Sequence, residues 1–365
     1  MKVLLRASFN RYSGYGNDAV DIALWLSRAG VDVYPMVTSL IGGLPQEFTD
    51  LLTKKPRMGH HAYDATLQFL PPFYIRVSDG LKKNVRDHGV PKAIAPIHYG
   101  WSMWEQSKLL PKDMRGHGIG AHPWRLLDVM YVTTRMNIEA FKHYDKRPEY
   151  RLMPCGIDPT MFPVMKRPMT GPTRFCMVGE LHQRKDPFVA IEAFRELKQE
   201  KGDAFDAELN LKTVTPGLHP KLSEWQPGIN VIHEMWEWEK LIQWYGTQHV
   251  YLAPSRGEGN HKPPMEFMAT GGTVIATNWS GPENWLHTDV AYPLDYKLMP
   301  VHGDPEGSLS ARADKEHLKQ LMWHVHTNRQ EAIKKGMLAA EWIRQTMAWP
   351  KLIGKLIRQI EDDLR

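Results

Sequence analysis

The sequence is poor in cysteine and has no long apolar run. Its two cysteines, Cys155 and Cys176, form no C-x-x-C pair. This usage excludes a disulfide framework and indicates a reducing compartment. No run of about 18 or more apolar residues occurs, and Arg6 interrupts the apolar start of the chain. The sequence therefore predicts neither a membrane span nor a secretory signal, but a soluble cytoplasmic protein.

Patterns that would indicate a metal or a nucleic-acid surface are also lacking. The sequence has no Cys/His spacing typical of zinc and no D-x-D pair at the end of a predicted strand. It therefore predicts no metal site and no cofactor. The net charge of +5 is compatible with anionic substrates such as nucleotides. The lysines and arginines are scattered, however, and form no basic stripe.

The length of the chain and the positions of its prolines indicate two domains joined by a linker. At 365 residues, with 42% apolar residues, it exceeds a usual single domain and can form two cores. Five prolines near the middle are typical of a stiff link: Pro154, Pro159, Pro163, Pro168 and Pro172. We predict an N-terminal domain over residues 1–158, a linker over 159–172, a C-terminal domain over 173–346 and a terminal helix over 347–365.

Strand and helix patterns alternate along the first half, which is typical of a parallel α/β sheet. The predicted strands, about six, are Lys2–Phe9, Val31–Val37, Ala65–Leu70, Lys92–His98, Val129–Thr133 and Tyr150–Pro154. Between the first strand and a helix predicted over Asn17–Ala29, Gly14-Tyr15-Gly16 fits a phosphate-binding glycine turn. A nicotinamide site is not indicated, because Asp32 starts the second strand instead of ending it. The alternative is a turn that serves only the backbone.

The most informative stretch is Tyr251–Glu283. It contains a strand ending at Ala253, a polar loop over Ser255–His261, a helix opened by Pro264 and a strand over Thr273–Thr277. Because such crossovers are right-handed and join parallel strands, the loop should lie at the carboxyl edge of the sheet, where α/β proteins bind ligands.

Two carboxylates belong to this unit, Glu258 in the loop and Glu266 in the first helical turn. Since Pro263-Pro264 prevents one helix from carrying both, each can face a ligand from its own backbone element. A glycosidase pair is disfavoured, because nothing fixes the carboxyls about 5 to 9 Å apart. We expect them to bind two different diols. The alternative is that Glu266 complements the helix dipole and Glu258 is a solvated acid.

Two adjacent cations, Arg184 and Lys185, precede a helix predicted over Pro187–Glu200. Positive charges at a helix N-terminus oppose the helix dipole, so this placement favours a partner anion. Pyrophosphate is a natural one, because charge-assisted hydrogen bonds to phosphate are strong. The alternative is a solvated pair.

The stretch PSRGEGNHKPPMEFMATGGTVIAT, residues 254–277, resembles the donor-site signature of retaining GT-B glycosyltransferases of the group 1 or family 4 type. The resemblance lies in a P-S-x-x-E-G loop, a second Glu eight positions later and A-x-G-x-x-V-I-A-T. It implies two Rossmann-like α/β/α domains facing across a cleft, with the acceptor on the N-terminal side and a terminal helix that returns to the first domain. The chain departs from the pattern at Asn260-His261-Lys262 and at Glu180, where the family has Arg.

The resemblance also implies roles. Glu258 contacts the donor sugar, Glu266 holds the ribose diol, and Lys185 with Arg184 binds the phosphates. The other residues expected at the donor site are Gly14, Tyr15, Gly16, Ser255, Gly259, Asn260 and His261.

The segment from His98 to Glu105, HYGWSMWE, resembles a W-x-x-x-E element of some group 1 transferases. We predict His98 in the catalytic cleft, and Trp101, Trp104 and Glu105 at the acceptor. The alternative for His98 is a structural histidine.

Together with these patterns, the resemblance implies a retaining, metal-independent hexosyl- or pentosyltransferase that uses a UDP- or GDP-sugar and a hydroxyl acceptor. Two alternatives stay open. The positive charge and the 13 tryptophans suggest a transferase that acts on hydroxylated bases of DNA. Glu180, which would repel phosphate, suggests a non-catalytic protein that binds nucleotide sugars.

Overall fold

The computed structural model of the chain describes residues 1–78, 89–114, 124–214, 227–301, 304 and 307–365. These residues form two compact units. Unit 1 contains Met1–Gly156 and Ala348–Arg365, and unit 2 contains Ile157–Met347. Among the helices of the described residues, none has both the length and the apolar character that crossing a membrane requires.

Unit 1 is built on a six-stranded sheet in the order β2-β1-β3-β6-β7-β8, and every neighbouring pair is parallel. Its strands are β1 (Lys2–Phe9), β2 (Asp32–Leu40), β3 (Ala65–Phe69), β6 (Ile97–Ser102), β7 (Val129–Val132) and β8 (Glu149–Leu152), with a separate short pair β4 (Val77–Ser78) and β5 (Val90–Pro91). Among the described residues up to 156, its helices are α1 (Gly14–Arg28), α2 (Gln46–Leu51), α3 (Pro111–Met114) and α4 (Arg135–Tyr144).

Unit 2 has a second six-stranded parallel sheet, in the order β11-β10-β9-β12-β13-β14. Its strands are β9 (Thr173–Val178), β10 (Ala207–Thr213), β11 (Ile229–His233), β12 (Val250–Ala253), β13 (Thr273–Thr277) and β14 (Tyr292–Leu294), followed by an antiparallel hairpin of β15 (Tyr296–Pro300) and β16 (Leu309–Ala313). The helices are α5 (Pro187–Lys201), α6 (Trp238–Thr247), α7 (Lys262–Ala269), α8 (Lys315–Thr327) and α9 (Arg329–Thr346). The predicted two-domain parallel α/β class is confirmed.

The last helix, α10 (Trp349–Asp363), belongs to unit 1. Its buried residues repeat at helical spacing and join the same core as α1: Trp349, Leu352, Ile353, Leu356 and Ile360. Polar contacts fix both of its ends. The Trp349 indole donates to Asp21 at 3.0 Å, and Asp363 accepts from the Tyr99 hydroxyl at 2.7 Å. The last helix is therefore part of the hydrophobic core of unit 1.

One predicted strand, Lys92–His98, was wrong. Lys92–Ile94 forms a 3-10 turn, and β6 starts only at Ile97. Pro96 has no N–H to donate to a ladder, so the strand begins after it. His98 consequently lies at the amino end of β6 instead of its carboxyl end.

The predicted linker, residues 159–172, is part of unit 2. Arg167 is buried, and its guanidinium donates to the carbonyl of Tyr245 and, at 2.5 Å, to the hydroxyl of Thr270. His249 lies 2.8 Å from the carbonyl of Pro168. These bonds attach the proline-rich segment to α6, to the residue that caps the end of α7 and to the residue before β12, so it is not a free connection.

Strand order places one ligand-binding edge in each unit. In unit 1 the chain moves from β1 to β2 on one side, and from β3 onward on the other. In unit 2 the same reversal occurs between β9 and β12. Loops that leave the carboxyl ends of two such diverging strands form a crevice, which is where open α/β sheets bind ligands.

His249 should make unit 2 sensitive to acid. Burial lowers the pKa of His249 from 6.5 to about 4, and its Nδ1 accepts from the Arg174 amide at 2.9 Å. Because the folded protein binds fewer protons here than the unfolded chain, stability is lost as the pH falls from 6.5 towards 4. Between pH 7 and 4.5 we expect this histidine to account for about 2 kcal/mol of lost stability. Urea unfolding at both pH values should show a smaller loss for His249→Asn, which keeps an acceptor for Arg174; equal losses would contradict this assignment.

Candidate functional site

The loops that follow β9 and β12 meet at the reversal point of unit 2. After β9, a 3-10 turn over Gln183–Lys185 leads into α5. After β12, residues 254–261 form the loop that leads into α7, whose first turn contains Pro263 and Pro264. The two loops contact each other through the backbone, since the Arg256 amide donates to the Arg184 carbonyl at 2.8 Å. The sequence thus brings its predicted cations and its first predicted carboxylate to one edge.

Glu258 joins the two loops by ion pairs. Its Oε2 lies 2.7 Å from Arg184 Nη1, and its Oε1 lies 2.8 Å from Lys185 Nζ. The Glu258 side chain is only 5% exposed, whereas Lys185 is 14% and Arg184 32% exposed. One buried carboxylate therefore pairs with two cations that a solvent-borne anion can reach, and the cluster keeps a net positive charge.

The backbone around Glu258 is also fixed. Its amide donates to Ser280 Oγ at 2.9 Å, and its carbonyl accepts from the Gly281 amide at 2.9 Å. A Cβ on Gly281 would lie 2.9 Å from this carbonyl, so glycine is needed for the close approach. Both polar groups of the Glu258 backbone are therefore engaged within the loop.

Charges around Glu258 determine its protonation. Burial would raise the pKa of the Glu258 carboxyl, but the charges of His261, Lys185 and Arg184 hold that pKa well below its usual range. Burial lowers the pKa of His261 to about 3, an effect that Glu258 opposes and the two cations reinforce. Since His261 is then neutral at pH 7, Lys185 and Arg184 are the groups that keep Glu258 ionised there.

Strained backbone is concentrated at this site. Four non-glycine residues of the described chain have a positive φ, and three of them border the two loops: Asp186 at 46°, His261 at 62° and Ser280 at 62°. Such conformations cost about 1 to 3 kcal/mol each and persist at positions where function requires them. Asp186 also pairs with Arg256 Nε at 2.8 Å, which ties the loops together a second time.

The second predicted carboxylate, Glu266, is buried in α7. After the larger effect of burial, its charge contributes to the raised pKa of Tyr245 and of Tyr251, so it lies near both phenols. It stands on a different element from Glu258, as predicted. No group of three or more His, Cys, Asp or Glu side chains in the described ranges could hold a metal ion.

The remaining loop residues are buried beside Glu258. Asn260 donates from Nδ2 to the Met265 sulfur at 3.5 Å, and its carbonyl accepts from the Trp285 indole at 3.0 Å. Ser255, Gly259 and His261 are buried as well. The four predicted loop residues are thus brought together with Glu258.

The glycine turn of unit 1 lies at the reversal point between β1 and β3. Ser13 caps α1 and accepts from the Gly16 amide at 3.1 Å, so this N–H is already used within the turn. The Tyr15 hydroxyl lies 3.1 Å from the Met103 carbonyl, and its ring packs on Phe69. Gly14 is exposed. The side chain of Tyr15 and the amide of Gly16 therefore make contacts within unit 1. Of the three residues of this turn that were predicted at the donor site, Gly14 is the exposed one.

Two predictions for the segment around β6 were wrong. His98 is fully buried, and its ring nitrogens lie 2.8 Å from Thr66 Oγ1 and 3.0 Å from the Lys92 carbonyl. Both ring nitrogens make hydrogen bonds inside unit 1, so His98 is a structural histidine, which was the alternative to a catalytic one. Trp101 is also fully buried, with its ring against Phe69 and Trp349, so it offers no platform to an acceptor.

Trp104 and Glu105 follow the carboxyl end of β6 and are partly exposed. The Trp104 indole donates to the Lys108 carbonyl at 2.8 Å. Sequence reasoning did not predict Ser280, which fixes the amide of Glu258. Its only signal was its place directly before the turn residues Gly281-Pro282.

Ser280 offers a test of the strained backbone. It adopts φ 62° and ψ −130°, a turn conformation that favours glycine. Ser280→Ala and Ser280→Gly both remove the acceptor of the Glu258 amide, but only glycine relieves the strain. We expect Ser280→Ala to lose about 1 to 3 kcal/mol of stability and Ser280→Gly to be more stable than it by about 1 kcal/mol. Urea unfolding measures both; an alanine variant at least as stable as the glycine variant would show that Ser280 is unstrained.

Comparison with known proteins finds a family model that matches the part of the chain containing this site. Residues 172–297 match the sequence model of the glycosyl transferases of group 1. A comparison with curated protein sequences finds no match. A glycosyltransferase from Rickettsia africae has a similar structure, with a TM-score of 0.66, 12% identity and coverage of 100% of this chain and 98% of its own.

Two further solved structures match over the length of both chains. The Anabaena protein HepE, in complex with UDP and glucose, gives a TM-score of 0.65 at 10% identity and covers 99% of each chain. A sucrose-phosphate synthase from Thermosynechococcus elongatus gives 0.64 at 14% identity and covers 100% of each chain. Such distant likenesses show the fold. The group 1 family model matches within unit 2, at residues 172–297, and the two-unit architecture of the whole chain is the GT-B fold of these solved structures.

Proposed function

We propose that this protein transfers a sugar from a nucleoside diphosphate sugar to a hydroxyl group, with retention of the anomeric configuration and without a metal ion. The first donors to test are UDP-sugars, because the structurally similar HepE was solved with UDP and glucose. GDP-sugars are the second class.

The cluster of Arg184, Lys185 and Glu258 carries this proposal. Its two cations lie within 2.8 Å of one carboxylate, at the edge where α/β sheets bind ligands. Cations held in this way bind phosphate oxygens through charge-assisted hydrogen bonds, each worth about 1.5 to 3 kcal/mol. The N-terminus of α5, which begins at Pro187, adds its partial positive charge.

The chemistry follows from the charge that develops during transfer. A bond forms between the acceptor oxygen and the anomeric carbon, while the bond from that carbon to the diphosphate oxygen breaks. Negative charge grows on the leaving diphosphate, and Lys185 and Arg184 stabilise it in the transition state. The acceptor's proton passes to the departing phosphate on the same face of the sugar, which gives retention without a protein nucleophile.

The two carboxylates divide the donor between them. Glu266, on α7, accepts hydrogen bonds from the ribose diol, and Glu258, on the loop, accepts them from the transferred sugar. Their separate backbone elements and their burial suit two distinct diols. The neighbouring Ser255, Gly259, Asn260 and His261 complete the donor site.

Product analysis tests the function directly. Purified protein is incubated with UDP- and GDP-sugars and a panel of acceptors that includes DNA with hydroxymethylated bases, and products are detected by mass spectrometry. We expect turnover of a nucleotide sugar and a product with the donor's anomeric configuration by NMR. Binding without any turnover would indicate the non-catalytic alternative, and an inverted product would contradict retention.

Lys185→Ala should lower kcat more than it weakens donor binding. The reason is that the leaving group carries more charge in the transition state than in the bound donor. We expect kcat to fall about 10² to 10³-fold, as for the removal of one preformed charge stabiliser. Steady-state kinetics measures this, with Lys166→Ala, an exposed lysine of the same unit, as the control. A normal kcat with a raised KM would show that Lys185 only anchors the donor.

Transfer should continue without divalent cations. Lys185, Arg184 and the α5 N-terminus supply the positive charge that a metal ion supplies elsewhere. Rates measured after treatment with chelator should equal those of untreated enzyme. A loss of activity that returns on addition of magnesium or manganese would contradict a metal-independent mechanism.

A further inference from the structure

The carboxylate of Glu258 and the diphosphate of a donor compete for the same two cations. Each oxygen of the carboxylate contacts one cation, Oε2 with Arg184 and Oε1 with Lys185. A diphosphate that binds Arg184 and Lys185 shares their charge and their N–H groups with this carboxylate, and therefore weakens both ion pairs. This step rests on the proposed function, which assigns the diphosphate to these cations.

Displacement leaves Glu258 in a costly position. Its side chain is 5% exposed, and an ionised carboxylate that loses its partners in such a place pays a large desolvation cost. His261 also faces this carboxylate, with its Nε2 3.8 Å from Oε1, but its ring is neutral at pH 7. Within the described site, this ring is a weak replacement for two cations.

The fixed backbone limits how the cost can be avoided. Ser280 and Gly281 hold the amide and the carbonyl of Glu258, so the residue cannot move away as a whole. Arg184 keeps a second acceptor in the Gly257 carbonyl at 2.8 Å, which holds the guanidinium beside the loop. A released carboxylate thus needs a hydrogen-bond donor that arrives with the ligand.

We infer that Glu258 makes diphosphate binding conditional on the sugar and so selects the intact donor over the free nucleoside diphosphate. A donor sugar brings hydroxyl groups that can donate to the displaced carboxylate. UDP and pyrophosphate weaken the same ion pairs but bring no transferred sugar, and the ribose hydroxyls of UDP are assigned to Glu266. Glu258 is therefore a specificity-determining residue that favours substrate entry and product release.

Binding to Glu258→Gln tests this inference without any need for turnover. Calorimetry is performed with inorganic pyrophosphate, UDP and UDP-glucose on the wild type and the variant. Since glutamine is neutral and holds the cations less tightly, we expect pyrophosphate and UDP to bind about 10-fold or more tightly to the variant. UDP-glucose should gain less or lose affinity, because its sugar no longer meets a carboxylate. Transfer kinetics should show weaker inhibition of the variant by UDP.

Two control variants separate displacement from other effects. Glu192→Gln removes an exposed carboxylate of α5 that lies outside the cluster, so all three affinities should stay unchanged. Glu266→Gln should weaken UDP and UDP-glucose alike and leave pyrophosphate unchanged. Thermal unfolding checks that each variant is folded. If Glu258→Gln does not fold, Glu258→Asp replaces it. The shorter aspartate cannot contact both cations, so we expect a smaller change in affinity in the same direction.

The outcomes distinguish this inference from the proposed function. Unchanged or weaker pyrophosphate and UDP binding to Glu258→Gln would overturn the competition. Equal tightening of UDP and UDP-glucose would overturn the dependence on the sugar. Tighter pyrophosphate with no binding of any nucleotide would uphold the competition for the cations and refute the proposed function.

Discussion

The ion pairs between one buried carboxylate and two cations hold the site of unit 2 together. The loops after β9 and β12 belong to different crossovers of the chain. Glu258 bridges them through Arg184 and Lys185, and the pair of Asp186 with Arg256 repeats the connection. Because like charges at adjacent positions repel each other, the two cations need this carboxylate or another anion to remain side by side.

The architecture also explains why strain is tolerated here. Asp186, His261 and Ser280 each place a side chain or a backbone group that a relaxed conformation would direct elsewhere. The surrounding core is large, with both faces of the second sheet covered by helices. Such a core can sustain a few kcal/mol of local strain in return for a defined site geometry.

Much of the fold and part of the site could be predicted because they depend on short-range patterns. Alternating strands and helices, the glycine turn and the proline-opened helix follow from local chemistry, and so does the placement of Glu258 and Lys185 at one sheet edge. The burial of Trp101 could not be predicted, because α10, which is far away in the sequence, packs against it. For His98, the residue type suits a site and a core equally well, and only the register after Pro96 decides between them.

The return of the last helix to unit 1 has a consequence for synthesis. Unit 2 is one continuous segment, Ile157–Met347, whereas unit 1 needs residues from both ends of the chain. The ribosome adds about 5 to 20 residues per second, so roughly 10 to 40 s separate the two parts of unit 1. Throughout that interval the apolar surface that Trp349 and Leu352 later cover stays open on the nascent chain. Unit 1 can thus be completed only after all of unit 2 has been synthesised.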